Sequence, residues 1–598
     1  MSEVPGMQRK RPTVRRRIIA VFVLTVMVSF LLIGRLAWIQ IVSADELYEK
    51  AWEQWNYNLP VKSERGVIYD CHGRLLVGNT AVDTVAAVPA HIENPGAVAE
   101  ILAPLLGMDP AKIVDTITIE KSVVYIKRKV EPDISAVIRE MNIPGIIFFK
   151  EEKRFYPGDN LASQLLGFVG TDQGWSGLEV HYDRYLNSKE GLLLFPADGK
   201  GRQLPHLFNR VIEPLAGFDL HLTIDETIQY VIEKELDWAM HEFAPRQIVA
   251  IAVNPHTGAV LGAASRPDFK PGQYYDYKPA NWSLAPVTSS YEPGSTFKLV
   301  TLAAVVEEGF FYPDEIFYCS GHTTIGSETI HCWTHKRGGH GSISFYSALG
   351  HSCNTAYIEL GKRLGRDKLF HYIDAFGFGK PTGIDYPGEA SGLVFKPGQI
   401  GPLELATTSF GQGISVTPLQ QVMAVAAIAN GGNLFKPFFV EKVYDHQGHI
   451  IYFREPEMIR QVISHETAQI VSDMMVHVIT DGTGRNAAVE GYTVAGKTGT
   501  AEQVGLESIY KTDDFIYSMV GFAPAEKPRV VLYLAIDGVT RGARLGTYTS
   551  APLFSSIMEE LLNYLQASPS DKTYIPEIGE ITEPNQETDG LPAQDGEE

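Results

Sequence analysis

Cysteine is scarce, at four in 598 residues, which excludes a disulfide-dense scaffold. Positive charge is short as well. Against 71 Asp and Glu stand 51 Lys and Arg, a formal net charge of −20, so binding of nucleic acid through bulk electrostatics is excluded. There is no internal repeat, hence no solenoid or propeller array. Long apolar runs are confined to one stretch near the N-terminus. What remains is ordinary: 44% hydrophobic and 20% charged residues fit globular protein rather than wholesale disorder. A chain of this length exceeds one core and should divide into about two to four domains.

The charge is unevenly spread. Residues 1–17 carry six basic groups (Arg9, Lys10, Arg11, Arg15, Arg16 and Arg17) and one acid, Glu3; from Ser43 onward 44 basic residues face 70 acidic ones. Between the two lies Ile18 to Val42, interrupted only by Thr25, Ser29, Arg35 and Gln40. As a helix it would reach roughly 37 Å, enough for a hydrocarbon core of about 30 Å, and Arg35 near its end can snorkel to the headgroups. The basic arm predicts a cytoplasmic N-terminus with the acidic body on the other side. Val42-Ser43-Ala44 would suit a signal-peptide cleavage site, but the run is too long for one, and a retained single-pass anchor is the better reading.

Past the anchor, Ser43-x-x-Glu46 has the form of a capping box, and Tyr48, Trp52 and Trp55 would share one helix face. Residues 43–215 read as mixed short strands and helices, and residues 216–566 as a larger unit. The latter opens with strands at Asp219–Asp225 and Ile248–Asn254 around a helix at Glu226–Trp238. Residues 567–598 hold nine acids against one lysine and read as a disordered tail.

Three short motifs carry the chemistry. Ser295-Thr296-Phe297-Lys298 follows Pro293-Gly294 and opens an apolar helix to Glu308, closed by Gly309. Serine and lysine three apart share a helix face, and a desolvated lysine can act as general base toward the hydroxyl. Ser352-Cys353-Asn354 lies 57 residues on and offers a hydroxyl relay and an amide. Lys497-Thr498-Gly499-Thr500 sits among small residues, where an extended peptide could add to a strand edge. Gly491 to Thr498 also matches a nucleotide-binding P-loop, but no strand is evident before it and no helix after it, so that reading fails.

In this order and at these separations the motifs resemble the penicilloyl-serine transferases, the penicillin-binding proteins and serine β-lactamases. Arg65-Gly66 with Asp70 and Gly73 resembles the membrane-proximal signature of class B penicillin-binding proteins. So does Arg154-Phe155-Tyr156-Pro157 with Gly167, Gly177-Leu178-Glu179 and Tyr182, although Cys71-His72 departs from the usual Arg-Asn. Tyr291-Glu292-Pro293-Gly294, Asn354 and Ser409-Phe410-Gly411-Gln412-Gly413 with Thr417-Pro418 are similar to the division or sporulation branch. The resemblance implies a single N-terminal transmembrane helix, an α+β pedestal or dimerisation domain, and an α/β transpeptidase domain. The last should have helices on both faces of a five-stranded antiparallel sheet.

It further implies a monofunctional D,D-transpeptidase of septal or spore wall synthesis. Ser295 would be the nucleophile, Lys298 its base and Ser352 a proton shuttle. Asn354, Lys497, Thr498, Gly499 and Thr500 would bind the peptide, and the backbone N–H groups of Ser295 and Thr500 would form the oxyanion hole. Implied partners are peptidoglycan stem peptides on lipid-linked nascent glycan, β-lactams, the membrane and a membrane glycan polymerase. Neither nucleic acid nor cofactor is implied. A β-lactamase and a catalytically silent β-lactam sensor are the alternatives.

Cys319, His322, His331, Cys332, His335 and His340 crowd the segment before Ser352. They suit either a zinc site or a surface loop with solvated histidines and a packed or bridged cysteine pair, and the reading adopted carries no metal. A bridge between Cys332 and Cys353 would make the second motif redox-sensitive.

Overall fold

The computed structural model describes residues 12–47, 50, 56–61, 63–121, 123–189, 191–196, 210–504 and 510–570. Arg9, Lys10 and Arg11 of the basic arm, the aromatic residues Tyr48, Trp52 and Trp55, and the acidic tail from 571 lie outside them. Helix α1 spans Pro12–Ala37 and continues as one π-helical turn over Trp38–Val42. Val14–Val42 has a mean hydropathy of 2.5, and it is the one helix among the described residues long and apolar enough to cross a membrane. Its two hydroxyls are satisfied within the helix: Thr25 Oγ1 donates to Val21 O and Ser29 Oγ to Thr25 O, both at 2.9 Å. Leu47 N–H donates to Ser43 O, one helical turn where the capping box was expected.

The rest of the chain does not divide at one point. A smaller unit takes residues 1–63, 81–152 and 188–215, and a larger one takes 64–80, 153–187 and 216–598. Segments 64–80 and 153–187 thus pack within the larger unit. In the smaller unit, helices at Pro95–Leu106, Pro110–Ile117 and Pro132–Glu140 each begin with proline, whose missing N–H costs nothing there. Asn94 and Asp109 cap the first two through Ala97 N–H and Ala111 N–H. Leu102, Leu106, Ile113, Ile117 and Ile138 bury against Val85, Ala87, Ile126 and Val130 of the neighbouring strands.

The segments 64–80 and 153–187 explain the membrane-proximal signature. Glu179 is fully buried between two guanidinium groups: Arg65 Nε donates to Oε2 at 2.8 Å and Arg154 Nε to Oε1 at 2.7 Å. A Cβ on Gly66 would lie 1.9 Å from Phe218 O, so only glycine fits. Asp70 Oδ1 accepts the N–H groups of His72 and Arg74 and closes the turn at Gly73.

Helix α2 spans Glu226–Phe243, capped by Asp225. Strands β1 (Gln247–Val253) and β2 (Val260–Arg266) are joined by the Pro255–Gly258 turn. Helices α3 (Lys298–Glu307), α4 (Asn354–Ala375), α5 (Pro418–Ala429) and α6 (His465–Thr480) follow. Strands β3 (Ala495–Val504), β4 (Tyr510–Ala523) and β5 (Val530–Asp537) and helix α7 (Ser550–Tyr564) complete the unit. The strands form one antiparallel sheet in the order β2-β1-β5-β4-β3.

Alternation along β1 accounts for both of its faces. Ile248, Ala250 and Ala252 bury in one core with Ile232, Leu236 and Phe554 of α2 and α7. Val249, Ile251 and Val253 bury in another with Val422, Val425 and Leu302 of α5 and α3. This is the five-stranded antiparallel sheet with helices on both faces that the resemblance implied.

Candidate active site

Pro293 and Gly294 turn the chain, Gly294 with φ +55°, into a 3-10 turn over Gly294–Phe297 that runs on as α3. The expected helix from Ser295 is present, with its first turn tightened. That turn is clamped from two sides. Gly294 N–H donates to Gly411 O at 3.0 Å, and Gly411 itself sits at φ +91° with room for no Cβ, since one would lie 2.1 Å from Gly294 O. On the other side a Cβ on Gly294 would come within 2.6 Å of Thr500 O, so β3 runs alongside the serine turn. Gln421 Nε2 of α5 donates to Thr296 O, and Thr301 Oγ1 to Ser409 O.

Lys298 points back over the first turn and is completely buried. Its Nζ lies 3.2 Å from Ser295 Oγ, 3.1 Å from Ser352 Oγ and 2.8 Å from Asn354 Oδ1, and donates to Ser352 O at 2.7 Å. The second motif precedes α4, with Cys353 at the N-cap, and Ser352 adopts φ +56°, a left-handed conformation that its surroundings must hold. Lys497 on β3 is equally buried, its Nζ 3.1 Å from Ser352 Oγ and donating to Thr498 O at 2.9 Å.

Burial pushes the Lys298 ammonium down to about 8. It pushes Lys497 well down too, helped by the charge of Lys298. The two lysines thus flank one serine hydroxyl, each with its Nζ 3.1 Å from Ser352 Oγ.

The structure brings Ser295, Lys298, Ser352, Asn354 and Lys497 into one hydrogen-bonded group. Thr498 is tied in by Thr483, whose Oγ1 lies 2.8 Å from Thr498 Oγ1. Gly499 is needed where it stands: a Cβ there would meet Ser518 Oγ at 2.3 Å and Thr296 Cγ2 at 3.0 Å. Thr500 is exposed at the end of the motif and pairs with Tyr517 across the sheet. Lys497 lies on a strand and not at a helix start, as the rejection of a P-loop required.

Sequence reasoning assigned no role to Gly411, Gln421, Thr483 or Tyr357, whose ring carries Lys298 Nζ 5.5 Å from its centre. Only the glycine lay in a segment already singled out. All four cysteines are free thiols, so Cys332 and Cys353 are neighbours but unbridged.

Residues 248–559 match the penicillin binding protein transpeptidase domain, and residues 60–222 the penicillin-binding protein dimerisation domain. Stage V sporulation protein D of Bacillus subtilis is 39% identical over 564 residues, covering 93% of this chain and 87% of that protein. Peptidoglycan D,D-transpeptidase FtsI of Escherichia coli is 28% identical over 551 residues, with 91% and 90% covered. Among solved structures, penicillin binding protein 3 of Mycobacterium tuberculosis complexed with aztreonam superposes with a TM-score of 0.67 at 25% identity, over 86% of this chain and 98% of that one. With the serine–lysine–serine group and these matches in hand, the chain belongs to the class B penicillin-binding proteins, serine-type D,D-transpeptidases that cross-link peptidoglycan in septal or spore wall synthesis and bind β-lactams.

Proposed function

We propose that Ser295 is the nucleophile and that the residues around it divide the work of acyl transfer as follows. Neutral Lys298 takes the Ser295 proton as Oγ attacks the carbonyl carbon of the penultimate D-Ala. The tetrahedral oxygen is held by the backbone N–H groups of Ser295 and Thr500. On collapse, the C–N bond breaks and Ser352 passes a proton to the departing amine of the terminal D-Ala, drawing on Lys298 or Lys497. An acceptor amine then attacks the ester, the new amide forms, and Ser295 recovers its proton. Asn354 orients Lys298 and the peptide, while Lys497, Thr498 and Thr500 receive the terminal carboxylate, with Gly499 giving the room. The observation that carries this is the placement of Lys298 Nζ, within 3.2 Å of both Ser295 Oγ and Ser352 Oγ.

The basic arm supports an N-terminus on the cytoplasmic side with the catalytic unit outside, and the family resemblance supports a membrane glycan polymerase as partner. The higher identity to stage V sporulation protein D, 39% against 28% for FtsI, favours the spore wall over the septum.

A fluorescent penicillin tests the chemistry. The full chain in detergent should form an adduct stable over hours, and Ser295→Ala should form none. Adduct in the variant would displace Ser295 as nucleophile, and rapid turnover of the drug would make the protein a β-lactamase. Rescue of a B. subtilis strain lacking stage V sporulation protein D, and not of one lacking its division transpeptidase, would support the sporulation assignment; the reverse would overturn it.

A further inference from the structure

The acyl-transfer chemistry leaves one cluster unused. Cys319, Cys332, His340 and Cys353 converge from four separate stretches of chain, and their Sγ and imidazole nitrogen atoms all lie within 4.8 Å of one another. Cys332 Sγ is 3.6 Å from His340 Nδ1. A tetrahedral zinc ion with Zn–S of about 2.3 Å and Zn–N of about 2.0–2.1 Å sets its ligands roughly 3.5–3.8 Å apart, so small side-chain movements close the set. All three cysteines are buried.

The turns around the cluster are built tightly for it. Gly321 and Gly339 take φ +89° and +90°, and a Cβ on Gly339 would lie 2.2 Å from Cys319 O.

Beyond the cluster, Phe317, Ile325 and Ile343 tie this segment to the large core. Strand Ile316–Cys319 pairs with Gly341–Ser344 over four residues, and the hairpin His322–Ile325/Glu328–His331 buries Ile325 alone. Strands this short gain from a cross-link. No pair of thiols is bridged to provide one.

We propose that Cys319, Cys332, His340 and Cys353 form a structural zinc site that braces the second catalytic motif. This replaces the metal-free reading of the sequence. His322, His331 and His335 are not ligands: the first two face each other across the hairpin, and His335 Nδ1 meets Cys332 O. Cys353 stands between Ser352 and Asn354, so a metal there fixes the left-handed Ser352 from its neighbour. The same module reaches the motif twice more. Asn354 Nδ2 donates to His331 O at 3.3 Å, and Trp333 Nε1 to His351 O at 2.9 Å. The role is positional, since no ligand touches Ser295 Oγ.

The test uses the full chain in detergent, purified with a thiol reductant. Elemental analysis should find about one zinc per chain, lost in Cys319→Ser and His340→Ala. Cobalt(II) in its place should give intense tetrahedral d–d bands with thiolate charge transfer. Stripping zinc with a chelator should slow labelling by fluorescent penicillin at least about tenfold, and returning zinc should restore it. Three results would overturn the site: wild-type protein that takes up neither metal after reconstitution, an octahedral cobalt spectrum, or a Cys332–Cys353 disulfide that persists in the reductant. If the variants fail to fold, metal content and the cobalt spectrum of the wild type still decide. Metal bound as described with unchanged labelling after stripping would overturn the bracing. None of the metal readouts depends on transpeptidation, so failure of the catalytic assignment would be separately visible.

Discussion

Around Lys298 the polar groups are framed by the buried helices α3 and α5 and by glycines that let backbone approach backbone, whereas the neighbouring residues 316–344 form four-residue strands, each with at least one exposed residue. Both border the same Ser352-Cys353-Asn354 motif. The serine–lysine side draws its precision from a large apolar core, which keeps Lys298 dry and its neighbours fixed. The cysteine–histidine side sends fewer apolar side chains into that core, Phe317, Ile325 and Ile343 among them, and concentrates sulfur and imidazole groups at one point. One motif is thus held by packing on one flank and by coordination on the other.

The largest effect should come from the packed side. Lys298→Met keeps the volume and removes the base, so β-lactam acylation should fall about 10²–10⁴-fold with little loss of stability. The wild-type rate should also report the lysine. With its ammonium pushed down to about 8, the amine is protonated and inactive as a base below that pH, so acylation should fall about tenfold per unit below it and level off above. A rate flat between pH 6 and 9 would remove Lys298 from the role.

Glycine substitutions sharpen the contrast next. Gly411→Ala adds a left-handed penalty and a clash with Gly294 O at 2.1 Å, against backbone that cannot yield. We expect about 3 kcal/mol or more of destabilisation and acylation slowed on the order of 10²-fold, as the serine turn is displaced. Gly326, at the tip of the exposed hairpin, has φ +64° and nothing within 4 Å of a Cβ. Alanine there costs only the conformation, about 1–2 kcal/mol locally, and should leave the acylation rate alone. Equal effects at the two glycines, read by thermal melting and penicillin labelling, would erase the distinction drawn between the flanks.

The same contrast explains what was legible in the sequence. Ser295, Lys298, Ser352, Asn354 and Lys497 were readable because each motif is local, while their grouping entered through the resemblance that the three motifs carry together. The five-stranded sheet entered through the resemblance, not through periodicity: β1 is apolar on both faces and shows no alternation to read. Gln421, Thr483 and Tyr357 gave no signal, and Gly411 showed only as part of a signature, because their roles exist only across the core, over separations such as the 125 residues between Gln421 and Thr296. Cys353 was noticed as a thiol but not as a ligand, since its place inside a catalytic motif hid its membership of a cluster that begins at Cys319.

The smallest predicted effect separates binding from chemistry on the β3 side. Thr483 Oγ1 meets Thr498 Oγ1, while Thr483 itself is anchored by its N–H to Gly350 O and by Thr547 Oγ1 on its carbonyl. Its backbone position therefore survives Thr483→Val, and only the partner of the Thr498 hydroxyl is lost. A neutral hydrogen bond is worth about 0.5–1.5 kcal/mol net, so the change should be roughly three- to tenfold. If Thr498 receives the terminal carboxylate, the loss falls on KM for carboxylate-bearing donors with kcat nearly unchanged, and an analogue without that carboxylate should be indifferent to the substitution. A fall in kcat shared by both donors would instead move Thr498 into the proton relay, because a hydroxyl that serves the transition state acts whether or not the carboxylate is present.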